Sequence, residues 1–361
     1  MLSNNIWCVI MAGGAGTRIW PISTYNVPKQ FIGIEGSDEN FIQATVRRIG
    51  DLVPPERTIV VTNRRLEALT RESLPQIPEQ NILLEPYKRD TAPCVAYAMY
   101  TILKRDPNAI MIVLPSDQII VGDEKFRQAL AGAVEYVRDN DVLMSIGIHP
   151  TRPDTNYGYI QGESMPQTGQ PVAVKTFTEK PDRELADVFV HSGEFLWNSG
   201  IFVWKADTIR RELERYLPQL PAQFSGWQGA MDSEFRDVFV EKAYAECQKI
   251  SIDIAVMEKT AHAWVYPADF GWFDIGTWES LYSFFPAKDA NGNASNVTSM
   301  IKNGSNNLVL STDKDKLVAV YGLDDYVVVN TDKVMFVCPR DGRKFREFLS
   351  NLALPEFEKY R

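Results

Sequence analysis

Apolar, β-branched runs recur along the first part of the chain, each followed by a stretch whose apolar positions fall at helical spacing. The run Ile6–Met11 is apolar at every position, which predicts a strand buried on both faces, and it leads straight into a glycine-rich turn. Runs at 58–62, 109–114 and 142–148 predict three further strands, the second of them ending in Pro115-Ser116-Asp117. Between them, segments 41–50, 64–74, 92–105 and 124–140 predict helices. This alternation predicts an α/β fold: a Rossmann-like mixed, mostly parallel sheet flanked by helices. Beyond residue 151 the pattern loosens, with strands expected at 172–178 and 200–204 and helices at 210–216 and 233–246. A polar stretch rich in Gly and Asn, 289–307, reads as a boundary, giving domains at 1–287 and 288–361. The second begins with four short β runs, 308–312, 317–321, 326–330 and 334–338, and closes with a helical tail, 343–352. Such quick repetition predicts a small C-terminal β appendage with solenoid-like rungs.

Composition narrows the functions this fold can serve. With 361 residues, 45% hydrophobic, the chain can bury a large core without staples. A net charge of −9 with no basic stripe argues against nucleic acid or an anionic membrane as partner. A phosphate-binding protein of this charge must concentrate its cations locally, so a Lys or Arg beside glycines is informative. Cys8, Cys94, Cys247 and Cys338 are scattered singly, without the spacing of a zinc site or disulfide ladder, which suits a reducing, cytoplasmic setting. No Lys or Arg precedes Arg18, and the apolar run 6–12 is too short for a signal segment or membrane span. His149, His191 and His262 lie far apart, so a histidine metal site or triad is not the expectation.

The first chemical signal is Met11-Ala12-Gly13-Gly14-Ala15-Gly16-Thr17-Arg18, followed by Pro21 and Pro28-Lys29-Gln30-Phe31. Glycines let backbone N–H groups close around phosphate oxygens, and Arg18 and Lys29 supply positive charge for a triphosphate. The spacing is neither that of a P-loop nor the six-residue Gly-x-Gly-x-x-Gly frame of dinucleotide binders. The second is Leu114-Pro115-Ser116-Asp117-Gln118, a carboxylate just past the end of a buried strand, where open α/β sheets hold ligands. The third is Phe270-Gly271-Trp272-Phe273-Asp274-Ile275-Gly276-Thr277-Trp278. Read alone, Asp117 is a turn residue or helix cap, and Asp274 caps a helix starting near Thr277.

Taken whole, Gly-Gly-x-Gly-x-Arg with the Pro28-Lys29 that follows resembles the sugar-phosphate nucleotidylyltransferases, and Pro28-Lys29-Gln30-Phe31 their mannose-1-phosphate guanylyltransferase branch. The resemblance covers the whole chain. It implies that Ala12, Gly13, Gly14, Gly16, Thr17, Arg18, Lys29 and Ser116 face the nucleotide, and that Asp117 and Asp274 hold Mg²⁺. Gln118 stands where the family usually has His. Leu84-Glu85-Pro86-Tyr87-Lys88-Arg89-Asp90-Thr91-Ala92-Pro93 is similar to the family's base-facing segment, placing Glu85, Arg89 and Thr91 on the nucleotide; Lys88 and Asp90 replace its usual Gly and Asn. Thr91 alone also reads as the cap of the helix at 92–105. Three further segments resemble the sugar side: Tyr157 and Gly158 in Asn156-Tyr157-Gly158-Tyr159, Glu179 and Lys180 in Thr178-Glu179-Lys180-Pro181, and Asn198 in Trp197-Asn198-Ser199-Gly200. Each by itself is an ordinary turn or strand exit.

The implied reaction is mannose 1-phosphate plus GTP giving GDP-mannose and pyrophosphate, with Arg18, Lys29, Asp117, Lys180 and Asp274 as its catalytic set. The resemblance also implies a homodimer aided by the C-terminal β segment. Many bacterial relatives carry a phosphomannose isomerase domain, and three scattered histidines do not suit its metal site, so no isomerase activity is expected. Rival readings are a sister enzyme using heptose or glucose 1-phosphate or another nucleotide, a silent nucleotide-sugar-binding homologue, and a dinucleotide-dependent dehydrogenase.

Overall fold

Strand β1, Ile6–Met11, is buried from Ile6 to Ile10 and forms the spine of a nine-stranded sheet. The computed structural model describes residues 5–14, 16–33, 38–285, 287–342, 345–352 and 354–361; Ala15 of the glycine motif and Arg343 at the start of the expected tail helix lie outside them. The chain divides into two compact units, the first comprising residues 1–13, 43–116 and 120–272, the second residues 14–42, 117–119 and 273–361.

In the first unit the strands are β1, β2 (Thr58–Asn63), β3 (Ile82–Glu85), β4 (Ile110–Pro115), β6 (Leu143–Ile148), β7 (Tyr159–Gly162), β8 (Val172–Thr178), β9 (Phe195–Lys205) and β10 (Ala263–Ala268), in the order β3-β2-β1-β4-β9-β6-β10-β8-β7. Two short strands, β5 (Gln118–Val121) and β11 (Gly271–Asp274), pair separately. The sheet is mixed. Strands β3, β2, β1 and β4 run parallel, as do β6 and β10, while β9 lies antiparallel between β4 and β6, and β7 and β8 pair antiparallel. The parallel strands read as unbroken apolar runs because both faces are covered, one of them by the helix Thr91–Arg105, whose residues Ala92 to Leu103 are buried.

Strand β9 is longer than the sequence suggests. Expected at 200–204, it begins at Phe195 and absorbs Trp197-Asn198-Ser199-Gly200, which alone looked like a turn. Those residues sit where the β6–β9 register shifts between Ser145 and Gly147, and Gly200 adopts a φ of 70°. The irregularity hides the strand from a simple alternation test.

The second unit contains β12 (Ala294–Ser295), β13 (Ser299–Lys302), β14 (Leu308–Ser311), β15 (Val318–Tyr321), β16 (Tyr326–Asn330) and β17 (Met335–Pro339). Strands β12, β14 and β16 stack in parallel, β13 and β15 do the same, and β17 closes the first stack antiparallel. Val309, Val318, Val320 and Val328 fill the interior of these rungs. The stretch 289–307, polar enough to read as a linker, carries the first rung. Asn293 and Asn307 are buried in it: Asn307 Nδ2 donates to Asn293 Oδ1 at 2.9 Å, and the partly buried Asn296 accepts at Oδ1 from Ser311 N at 2.8 Å. Buried polar side chains that satisfy each other between rungs make a polar sequence compatible with a packed coil. Trp20, Trp278 and Phe336 form the larger core of this unit, Trp20 meeting Phe336 edge-on at 5.3 Å. Among the described residues, no helix is long and apolar enough to cross a membrane.

Candidate active site

Of the residues expected at the triphosphate, Gly14, Gly16, Thr17, Arg18 and Lys29 lie in the second unit. Gly16 has a φ of 59°, and a Cβ there would lie 2.6 Å from Lys29 N and 2.8 Å from Lys29 Cβ. Only glycine combines that conformation with that approach. The loop is tied down further, since Ser23 Oγ donates to Gly16 O and Gln30 Nε2 donates to Gly14 O at 3.1 Å. Lys29 is thereby held in place. Its side chain is 3% exposed, its Nζ lies 3.5 Å from Asp117 Oδ2 and 3.3 Å from Asp274 Oδ1, and the ammonium sits 5.5 Å from the centre of the Phe41 ring. The exposed Arg18 belongs to the same group, because a Cβ on Gly276 would lie 3.4 Å from its guanidinium carbon and 3.4 Å from Asp274 Oδ2. Thr17 opens the short helical turn that carries Arg18. Asp274 is not a helix cap: Thr277 caps the following helix, accepting from Ser280 N at 3.1 Å.

Asp117 and Asp274 therefore flank one ammonium, with side chains about a third exposed. Two hard oxygen donors, completed by substrate phosphates, are the donor set Mg²⁺ uses. Among the described residues no three His, Cys, Asp or Glu side chains converge on a site that would need no substrate oxygens. The residues fit Mg²⁺.

The residues expected at the base, Glu85, Arg89 and Thr91, lie in the first unit. Ala12 N donates to Val61 O at 2.7 Å, and Asn63 Nδ2 donates to Gly13 O at 3.3 Å, so the motif leaves β1 clamped to β2. Glu85, at the end of β3, is buried, and its Oε2 would lie 2.7 Å from a Cβ on Gly13. Glycine at 13 thus makes room for a carboxylate. Burial raises the Glu85 pKa to about 7, opposed by a hydrogen bond from Tyr244 Oη to its Oε1 at 3.1 Å. Arg89 is placed elsewhere, donating to the carbonyls of Tyr244 at 3.0 Å and Ala245 at 2.7 Å. Thr91 is not the helix cap. Asp90, with a φ of 73°, accepts from Thr91 N, while Thr91 Oγ1 accepts from Ile252 N at 2.9 Å. Ser116 is buried next to Asp117.

Of the residues expected at the sugar, Gly158, Glu179 and Asn198 come together in the first unit. A Cβ on Gly158 would lie 2.9 Å from Glu179 Oε2 and 3.6 Å from Asn198 Cβ, and Asn198 N donates to Gly158 O at 2.8 Å. Glu179 pairs with Lys180, which takes a φ of 46° just past β8. Tyr157 is the exception. Its ring is buried against Trp197 at 5.1 Å and Trp272 at 4.8 Å, so it supports the loop from beneath. Sequence reasoning missed two residues here, Tyr244 and Asp253. Asn198 Nδ2 donates to Asp253 Oδ1 at 2.8 Å. The available signal was an acid inside the otherwise apolar stretch 252–257.

Glu85 and Glu179 stand at strand ends in the first unit, and Gly16, Lys29, Asp117 and Asp274 gather in the second. The chain belongs to the nucleotidyl transferase family, whose model matches residues 7–290; residues 299–352 match the MannoseP isomerase/GMP-like beta-helix domain. It is similar to the mannose-1-phosphate guanylyltransferase of Klebsiella pneumoniae, 36% identical over 363 residues, covering 98% of this chain and 76% of that protein. It is likewise 36% identical over 340 residues to the alginate biosynthesis protein AlgA of Pseudomonas aeruginosa, covering 92% of this chain and 69% of the relative. The crystal structure of a Thermus thermophilus protein named mannose-1-phosphate geranyltransferase superposes with a TM-score of 0.83 at 31% identity, covering 96% of this chain and 99% of that one.

Proposed function

We propose that this protein transfers GMP from GTP to mannose 1-phosphate, releasing pyrophosphate. The observation that carries the reading is the buried Lys29 ammonium held between Asp117 and Asp274, with Arg18 alongside. The two aspartates offset the two cations, so the group suits a triphosphate and the leaving pyrophosphate once a divalent cation is held by Asp117 and Asp274. The attacking group is already an ionised phosphate, so no protein nucleophile or general base is required. An oxygen of the sugar phosphate bonds to the α-phosphorus as the bond to pyrophosphate breaks on the opposite side. The enzyme's task is to align two anions and neutralise their charge. Arg18 and Lys29 serve the triphosphate, and Lys180 serves the sugar phosphate. Asp117 and Asp274 would hold Mg²⁺, which supplies charge neutralisation at phosphate oxygens when bound. Gly158, Glu179 and Asn198 face the hexose.

Glu85 selects guanine. As a carboxylate it accepts from the N1–H and N2–H donors that adenine, uracil and thymine do not present in that pattern. A raised pKa gives this a pH signature. Below its pKa of about 7 the carboxyl is protonated and one acceptor is lost, so GTP binding strengthens as pH rises through that value. KM for GTP is expected to fall on the order of tenfold between about pH 6 and pH 8, and Glu85→Gln to abolish the dependence. A wild-type KM independent of pH would remove Glu85 from base recognition. The same reading places the protein in the cytoplasm, in keeping with its free cysteines. It also makes the protein a homodimer, for which the exposed Met335 and Val337 on β17 offer apolar surface. The reaction is tested by incubating labelled mannose 1-phosphate with GTP and Mg²⁺ and identifying the labelled product by mass. GDP-mannose is expected; its absence, with GDP-glucose formed from glucose 1-phosphate instead, would replace the sugar.

A further inference from the structure

Asp253 is an acid on a short π-helical turn, Asp253–Met257, whose Ala255, Val256 and Met257 are buried, as is Ile252 just before it. Four apolar anchors fix the turn, so the carboxylate has a defined position. Two segments with opposite duties attach to it. On the base-facing side, Ile252 N donates to Thr91 Oγ1 at 2.9 Å, Ala92 N donates to Ile250 O at 3.1 Å, and Ile250 N donates to Arg89 O at 3.2 Å. On the sugar-facing side, Asp253 Oδ1 accepts from Asn198 Nδ2 at 2.8 Å, while Asn198 Oδ1 accepts from Gly200 N at 3.1 Å. These two bonds settle which way the Asn198 amide points. Without Asp253 the Asn198 amide keeps only the Gly200 bond, since the Asn198 backbone is already engaged, in register with Gly147 and donating to Gly158 O. Burial raises the pKa of the Asp253 carboxyl, opposed by the Asn198 bond and by the nearby charge of Lys180. Lys180 is therefore close enough to feel it. Asp90, at the start of the helix Thr91–Arg105, adds a like charge from the other side.

We propose that Asp253 is a positioning residue for the sugar phosphate: it orients the Asn198 amide and ties the sugar-facing strand to the segment Ile250–Ile252 that is stapled to residues 89–92. The inference rests on the mannose 1-phosphate reading, with Asn198 on the hexose. Asp253 touches no reacting atom, so its removal weakens binding of one substrate and not the other. The backbone bonds that hold residues 89–92 do not involve its side chain and persist in a variant.

The test is a double-mutant cycle on steady-state kinetics, using Asp253→Ala, Asn198→Ala and the pair, with Asp253→Asn as the conservative variant. Asp253→Ala is expected to raise KM for mannose 1-phosphate roughly tenfold or more, the loss typical of a hydrogen bond to a charged acceptor, with KM for GTP moving less than about threefold. The double variant is expected to be no worse than Asn198→Ala. Asp253→Asn, whose amide oxygen can still accept from Asn198, is expected to restore KM to within about threefold of wild type, and it keeps the test available should the alanine variant fold poorly. Equal rises in both KM values, or independent effects in the double variant, would overturn the positioning role. Wild-type protein inactive with mannose 1-phosphate but active with another sugar phosphate would overturn the sugar assignment alone, and the cycle would then be read with that substrate. A wild type silent with every sugar phosphate would overturn both.

Discussion

Asp117→Ala is expected to lower turnover on the order of 1,000-fold while leaving the melting temperature within about 2 °C of wild type. The two halves of this expectation have separate causes. Asp117 is partly exposed and meets Lys29 at 3.5 Å, so its loss opens no buried cavity and removes one of the two ion pairs of that ammonium. Lys29 also retains Asp274 at 3.3 Å, so no buried charge is stranded. The catalytic loss is larger, because charge neutralisation at transferring phosphates is worth several kcal/mol and each 1.36 kcal/mol is about tenfold. Turnover and thermal unfolding of the same preparation check both. Near-normal kcat in a folded variant would take Asp117 out of the mechanism; a collapsed melting temperature would make it structural.

Gly16→Ala is expected to damage both stability and activity. Alanine at a φ of 59° costs roughly 1–2 kcal/mol from backbone conformation alone. Its Cβ would also stand 2.6 Å from Lys29 N, a backbone atom that cannot swing aside as a side-chain tip would. Either the turn opens or Lys29 shifts, and a displacement of about 1 Å in a positioned group can cost on the order of 100-fold in rate. A fall of several degrees in melting temperature, with kcat/KM down about 100-fold, is the predicted result. Gly14→Ala is the folding control, since a Cβ at Gly14 meets nothing within 4 Å, and its melting temperature is expected to stay at the wild-type value. Gly16→Ala with wild-type kcat/KM would show that the Lys29 position does not matter.

The legible parts of this sequence were those where a single physical requirement governs the residues. Strands buried on both faces must be apolar throughout, so β1, β2, β4 and β6 stood out. The four-residue strands β3, β5 and β7 lack a repeating context to mark them, whereas β14 and β15, equally short, were legible from the quick repetition of the C-terminal runs. Strand β9 was obscured by its register shift, and the first solenoid rung by asparagines that are polar yet buried against one another. At the site, the glycine turn and the Lys29, Asp117 and Asp274 group were readable as motifs. Their reason, the close approach of Gly16 to Lys29, is visible only in three dimensions. Arg89 shows the opposite case. A guanidinium beside a base-facing motif invites a phosphate, yet its donors go to the carbonyls at the end of the helix Arg236–Glu246, which no local pattern announces. Asp253 and Tyr244 escaped because each bonds a residue distant in sequence, Asn198 at 55 positions and Glu85 at 159 respectively.

The central claim is tested most directly by pyrophosphate release in the presence of Mg²⁺, with mannose 1-phosphate supplied against GTP, ATP, UTP and dTTP in parallel. The account predicts rapid release with GTP and release at least about 100-fold slower with the other three, because they cannot satisfy a buried Glu85 carboxylate. Equal release with ATP or UTP would contradict the guanine assignment, and no release with any nucleotide would contradict the reaction itself.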